Sequence, residues 1–222
     1  MPDQTFEKLP QELHMSSSPL STAETDYTQR LLTLESAWWR KILDPQIPYR
    51  WFLRRLQPGY MLEVGCGVGR NLLNNGGVGV GIDHNPSSIE VARLRGLSAF
   101  TTAGFHESQH AKPGAFDSLL LAHVLEHLNY EDAKSLVAQY LQFVRPGGKI
   151  ILICPQPAGY RSDKTHVRYF DLNLMKSLAG ELGLEVTYEA SFPFPSWVGR
   201  FFTYNEWALV ARHRNHQSHA SA

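Results

Sequence analysis

The chain has 222 residues, 43% of them hydrophobic, enough to bury the core of one ordinary domain. Lysine plus arginine equals aspartate plus glutamate, at 21 each, so no net field draws the chain to a nucleic-acid backbone or an anionic membrane. No stretch approaches the roughly 20 apolar residues that cross a bilayer, and the polar start from Met1 to Leu20 lacks the apolar run of a signal peptide. Cys66 and Cys154 are the two cysteines, each within or beside an apolar run, which argues against a disulfide framework and for a reducing compartment. A soluble cytoplasmic protein is the expectation, without a nucleic-acid partner or membrane insertion, as monomer or homodimer.

Residues 1–20 and 213–222 are rich in Ser, Pro, Gln and His without apolar periodicity, so both are expected as flexible ends around one domain over 21–212. Leu31, Leu34, Trp38 and Ile42, then Ile47, Trp51, Phe52 and Leu56, recur at helical spacing, and Asp44-Pro45 and Pro48 break the pattern. Two N-terminal helices within 26–56 follow from this. After Gln57-Pro58-Gly59 short apolar runs alternate with helical segments: Tyr60–Val64, Val78–Ile82, Ser98–Thr102, Phe116–Leu121 and Lys149–Cys154. Several are too uniformly apolar for a sheet with one wet face, which predicts a doubly wound parallel sheet covered by helices on both faces. Helices are expected near 68–75, 86–95 and 130–144, the last ended by Arg145-Pro146-Gly147-Gly148. Asp171 is placed to cap a helix over Leu172–Leu182, and the runs Leu184–Ser191 and Glu206–Arg212 read as an antiparallel edge.

The strongest local signal is Tyr60-Met61-Leu62-Glu63-Val64 running into Gly65-Cys66-Gly67-Val68-Gly69-Arg70. Glycines at alternate positions let the backbone turn sharply and approach a ligand, and the following helix start offers unpaired N–H groups. An ordinary strand-to-helix turn shares that pattern. Asp83 ends the second strand beside this turn, where a carboxylate accepts from ribose hydroxyls; capping of the next helix is its alternative role, one that Asn85 fills equally well. Dinucleotides want a third small residue where Arg70 stands. Glu63 would also repel a pyrophosphate and suits an ammonium group, so S-adenosylmethionine fits the turn better than a nicotinamide dinucleotide.

The segments Glu63–Gly69, Gly81-Ile82-Asp83, Phe116–Leu128 and Leu141–Lys149, in this order and spacing, resemble the motifs of class I S-adenosylmethionine-dependent methyltransferases of the type 11 or type 12 group. The likeness covers about residues 58–190. It implies a Rossmann-like, mostly parallel seven-stranded sheet with an antiparallel last strand, and methyl transfer to a small-molecule acceptor. It sets the turn from Gly65 through Cys66, Gly67 and Gly69 to Arg70 against the cofactor, Asp83 on the ribose, His84 beside the adenine, Glu63 at the methionine ammonium and His123 beneath the sulfonium. Where many relatives carry Gly-Asp after the third strand, this chain has Gly104-Phe105-His106-Glu107, and Phe105 and His106 become the adenine-side candidates.

His123-Val124-Leu125-Glu126-His127 also matches the H-x-x-E-H pattern of inverted zinc proteases, but it follows a buried strand instead of lying on one long helix, so no metal is expected. Glu126 and His127 are expected to bond neighbouring backbone and shape the loop. The polar loop Cys154–Asp171 carries His166, Arg168 and Tyr169 as acceptor-side candidates, with Tyr27, Trp38 and Trp39 as a lid and the aromatics of Phe192–Tyr204 as a further wall. A sulfonium methyl is already activated, so alignment and exclusion of water matter most, and His123 or His166 is the base candidate for a hydroxyl acceptor. A cofactor-binding module without turnover is the competing reading.

Overall fold

A computed structural model describes residues 47–212; the first expected helix, the lid aromatics Tyr27, Trp38 and Trp39, and both chain ends lie outside the described residues. The elements in order are α1 (Ile47–Leu56), β1 (Met61–Val64), α2 (Arg70–Asn74), β2 (Gly79–Asp83), α3 (Pro86–Leu94), β3 (Ala99–Thr101), α4 (Thr102–His106), β4 (Phe116–Ala122), α5 (Tyr130–Leu141), β5 (Val144–Pro155), α6 (Pro157–Ser162), α7 (Leu172–Glu181), β6 (Glu185–Phe192) and β7 (Glu206–Arg212), with single 3-10 turns at Leu125–His127 and Ser196–Arg200.

Alternation along the strands builds two apolar layers. Leu62, Leu119, Leu121, Ile150 and Leu152 face one layer with Val137 of α5 and Met175 of α7; Met61, Leu120, Ile151 and Ile153 face the other with Phe52 of α1, Leu72 of α2 and Ile89 of α3. Burying both faces of β1, β4 and β5 requires the near-continuous apolar runs seen in the sequence. The seven strands lie in the order β3-β2-β1-β4-β5-β7-β6, with β1 to β5 parallel and β7 antiparallel to both β5 and β6. The fold is the expected doubly wound seven-stranded sheet with its reversed last strand.

Asn85 caps α3, its side chain accepting from the N–H groups of Ser87 and Ser88, and Asp171 caps α7 by accepting from Leu174 N. Asp83 is thereby released from capping. Three local expectations shift. The turn placed at Arg145–Gly148 is instead the start of β5, because Val144 leaves α5 already extended and pairs with Phe116 across an irregular register. In α1, Phe52 and Leu53 are buried, whereas Ile47 and Trp51 face outward and the Arg55 guanidinium lies over the Trp51 ring. Helices α4 and α6 were not expected from the sequence. Each is a single short turn without a long apolar stripe.

Because β7 runs against its neighbours, its first residue stands at the edge where β1, β4 and β5 end. That edge carries the functional residues.

Candidate active site

The turn after β1 is held from both sides. Gly65, Gly67 and Gly69 have φ of 76°, 52° and 82°, left-handed values that favour glycine. A Cβ on Gly65 would lie 2.4 Å from Val124 Cγ2, and one on Gly69 2.2 Å from Leu97 Cδ1, so both positions lack room as well as freedom. Asp83 braces the turn: Oδ2 accepts from Gly67 N at 2.8 Å and Oδ1 from Asn85 N at 2.9 Å. At the end of β1, Glu63 is buried; its Oε1 accepts from Asn71 Nδ2 at 2.8 Å, while Oε2 has no hydrogen-bond partner. Burial raises the Glu63 pKa to about 8, against the lowering bond from Asn71, and the nearby Asp83 charge raises it further. Arg70, which opens α2, acts electrostatically on Glu63, Tyr49 and His123. This half of the cleft presents a glycine-lined turn and one unsatisfied buried carboxylate.

The other half gathers beyond β4. His123 donates its N–H to Ile153 O and then turns left-handed, with φ of 58°, an uncommon conformation for a residue other than glycine. Its Nε2 lies 2.8 Å from Tyr49 Oη and 3.5 Å from Glu206 Oε1, and its Nδ1 lies 3.3 Å from Glu126 Oε1. Burial disfavours the imidazolium, but the charges of Glu206 and Glu126 outweigh it and raise the His123 pKa to about 9. Glu206 is itself raised, first by burial, with His123 and Tyr49 opposing. Both ring nitrogens of His123 are therefore engaged by the protein, which corrects the expectation that it serves as a free base.

His166 differs. Its Nδ1 lies 2.7 Å from the Tyr160 carbonyl, its ring stacks on Tyr160 and meets His127, and it acts electrostatically on Glu206. A carbonyl accepts only, so the His166 Nδ1 donates to it and the ring is oriented by that bond. The Glu126 carbonyl accepts from the N–H groups of Val167 and Arg168, which docks the loop and places His166 here. Glu126, His127 and His166 each offer one donor atom within 4.8 Å of the others, the group among the described residues best placed to meet a single metal ion. His127 Nδ1 faces the Thr165 hydroxyl at 3.2 Å.

Other candidates fall in distinct places. The Cys66 side chain is buried, its Sγ packed where a Cβ on Gly81 would be and directed at Gly67 O at 3.5 Å. His84 is exposed, 3.3 Å from Asp83. Phe105 and His106 are corrections. Phe105 has no exposed surface and packs on Phe116, Tyr140 and Phe143, while His106 stacks on Tyr140. Phe116 begins β4 and Tyr140 closes α5, so α4 delivers both residues to the sheet edge opposite the glycine turn. Arg168 is exposed with its guanidinium over the Tyr130 ring, and the Tyr169 hydroxyl accepts from Trp207 Nε1 at 2.9 Å. Of the aromatic segment, Phe192 stacks on Phe52 in the core, while Phe194, Trp197, Phe201 and Tyr204 are exposed. Tyr49 and Glu206 were missed as site residues. A reversed last strand begins where its neighbours end, and that was the available signal for Glu206.

The family model for a methyltransferase domain matches residues 39–189. The chain belongs to this methyltransferase family. Its fold is that of the class I S-adenosylmethionine-dependent methyltransferases. Among curated proteins it is 27% identical over 156 residues to the ubiquinone biosynthesis O-methyltransferase of Xanthomonas euvesicatoria pv. vesicatoria, covering 63% of either chain. It is 32% identical over 98 residues to the protein of that name from Sodalis glossinidius, covering 40% of this chain and 39% of that one. The matches thus span less than two thirds of those relatives' own length. In fold it is similar to a possible histamine N-methyltransferase from Thermotoga maritima, with a TM-score of 0.65 at 17% identity, over 85% of this chain and 98% of that chain. It is also similar to magnesium protoporphyrin IX methyltransferase from Synechocystis PCC 6803 with bound S-adenosylhomocysteine, with a TM-score of 0.62 at 14% identity, over 86% and 95% of the two chains. No helix among the described residues is long and apolar enough to cross a membrane.

Proposed function

We propose that this methyltransferase methylates a hydroxyl group of a small organic acceptor, with His166 taking the hydroxyl proton. The observation that carries this reading is the His166 ring, fixed by the Tyr160 carbonyl with Nε2 left to accept. The relatives named O-methyltransferases support oxygen as the nucleophile.

The donor side fits S-adenosylmethionine. The unpartnered, buried Glu63 Oε2 matches the ammonium of its methionine portion, and the glycines at 65, 67 and 69 admit the ligand against backbone N–H groups. Asp83, already bonded to the turn, lies beside it for the ribose. When bound, the cofactor supplies a methyl group on a positively charged sulfur. The chain's own work is to hold the acceptor oxygen in line and to remove its proton at His166 Nε2 as the oxygen–carbon bond forms. Ring stacking between Tyr160 and His166, and the contact of Tyr160 with Tyr169, give this half aromatic walls suited to a flat acceptor.

The test is release of S-adenosylhomocysteine with phenol, catechol, a primary alcohol, histamine and a thiol as acceptors. Turnover with a hydroxyl acceptor that His166→Ala lowers across the pH range is expected. Turnover confined to the amine or thiol, or full activity of His166→Ala with the hydroxyl acceptor, would contradict it.

A further inference from the structure

The connection from β6 to β7, Pro193–Tyr204, is held by buried polar groups and turns its aromatic side chains outward. Gln156 and Asn205 have no exposed surface. Gln156 Nε2 donates to Ser191 Oγ at 2.7 Å and to Glu206 O at 3.0 Å, and Asn205 Nδ2 donates to Gln156 Oε1 at 3.1 Å. Asn205 Oδ1 accepts from Phe194 N at 2.9 Å, and Ser191 Oγ donates to Phe194 O at 2.6 Å. A Cβ on Gly199 would lie 1.8 Å from Gln156 Oε1, and one on Gly159 2.6 Å from Thr203 O, so the connection packs tightly against α6 and the end of β5. Buried amides bonded at both ends fix a backbone in one place. The exposed rings are therefore presented by a built support and are not the by-product of a loose loop.

Those rings form a cluster. Phe202 lies 5.6 Å, centroid to centroid, from both Phe194 and Tyr204, while Trp197 and Phe201, at the 3-10 turn, are 67% and 82% exposed. Single exposed apolar side chains are ordinary, but five large ones in one connection mark a contact surface. The charges beside them are positive. Arg200 is the one charged residue between Pro193 and Tyr204, Arg161 Nη2 donates to its carbonyl at 3.1 Å, and both residues are exposed. Lys164 is exposed nearby in sequence, and Asp163 before it is engaged by Thr165.

A two-fold pairing through this face would bring Arg161 and Arg200 towards the same cations of a second copy, which disfavours self-association. Side chains as exposed as Trp197 and Phe201 suit a surface that closes round them, whereas a protein partner would need pockets in register. Aromatic rings flanked by arginine and lysine are the composition that settles at lipid headgroups, rings at the acyl boundary and cations at the phosphates. The chain's balanced charge makes such attraction local, acting within about 8 Å of the surface at physiological salt.

We propose that Pro193–Tyr204 docks this methyltransferase on an anionic lipid bilayer, with Trp197 and Phe201 entering the headgroup layer and Arg161 and Arg200 meeting lipid phosphates. The contact is peripheral and spans nothing. Glu206, which opens β7 directly after this connection, lies 3.5 Å from His123, so the docked face adjoins the acceptor half of the cleft whichever atom is methylated.

The experiment is co-sedimentation of the full chain with vesicles of phosphatidylcholine alone and of phosphatidylcholine with phosphatidylglycerol, at low and high salt. The wild type is expected to bind the anionic vesicles about tenfold or more tightly than the neutral ones, and high salt should weaken that binding. Trp197→Ala/Phe201→Ala should lower binding to the anionic vesicles about tenfold or more, and Arg161→Gln/Arg200→Gln should remove the preference for them. All four residues are exposed, so both variants should keep a melting temperature close to that of the wild type. No binding by the wild type, equal binding to both vesicles, or full binding by Trp197→Ala/Phe201→Ala overturns lipid docking. A dimer in sedimentation velocity that Trp197→Ala/Phe201→Ala dissociates would give the face to a second copy and overturn it as well.

Discussion

The two halves of the cleft are built in opposite ways. The donor half is local: Glu63, the glycine turn and Asn71 lie within nine consecutive residues, joined only by Asp83 from the adjacent strand. The acceptor half collects Tyr49, His123, Glu126, His166 and Glu206 from segments spread across the sheet edge. Cofactor binding therefore depends on backbone geometry, and acceptor chemistry on side chains brought together by topology. Damage to one half should leave the other readable.

The largest effect is expected at Gly65. Gly65→Val combines a left-handed φ of 76° with a Cβ 2.4 Å from Val124 Cγ2. S-adenosylmethionine affinity should fall about 100-fold or more, roughly 2.7 kcal/mol, by calorimetric titration. A smaller loss would mean that the turn adapts and that the donor half is less backbone-bound than described.

Glu63 gives the next effect. With its pKa raised to about 8, it is mostly protonated at pH 7 in the free protein, and an arriving ammonium favours the carboxylate. Binding at pH 7 should therefore release up to about one proton, measured by calorimetry in buffers of different ionisation enthalpy. Glu63→Gln should release none.

Stability should report both halves through pH. The folded-state pKa of His123, about 9, lies above its ordinary 6.5, so its contribution is full below pH 6.5 and is lost as pH rises through 9. Glu63 binds its proton in the folded state between its ordinary 4.5 and about 8, which lowers stability across that window in the same direction. The melting temperature should fall from pH 6 to pH 9, with Glu63→Gln flattening the earlier part and Glu206→Gln the later.

The smallest effect is expected at Arg168. Its guanidinium lies over Tyr130 on an exposed face, a contact of about 0.5–1 kcal/mol, so Arg168→Ala should shift the melting temperature slightly and leave turnover nearly intact. A large loss of turnover would move Arg168 into the acceptor half.

How far the sequence could be read follows the same division. The sheet and its reversed edge were legible because uniformly apolar runs mark strands buried on both faces, and the glycine turn because its residues are contiguous. Asn85 and Asp171 were legible as caps because capping acts within three residues. Phe105 was misplaced because α4, a single turn with no periodic stripe, reverses the chain and carries the ring to the far edge of the sheet. Tyr49 and Glu206 were missed because their partner His123 lies 74 and 83 positions away, and no local pattern records such pairing. His123 was read as a base because a sequence shows a residue type and not which of its nitrogens are taken.

The most direct test is a crossed measurement on Asp83→Ala and His166→Gln, each assayed for S-adenosylmethionine Kd and for the single-turnover rate with a hydroxyl acceptor. Asp83→Ala should weaken the cofactor, because Gly67 N–H loses its bond, and His166→Gln should lower the rate about 100-fold or more with Kd unchanged within about twofold. Equal loss of cofactor affinity in both variants, or an unchanged rate in His166→Gln, would contradict the division into a backbone-built donor half and a side-chain-built acceptor half.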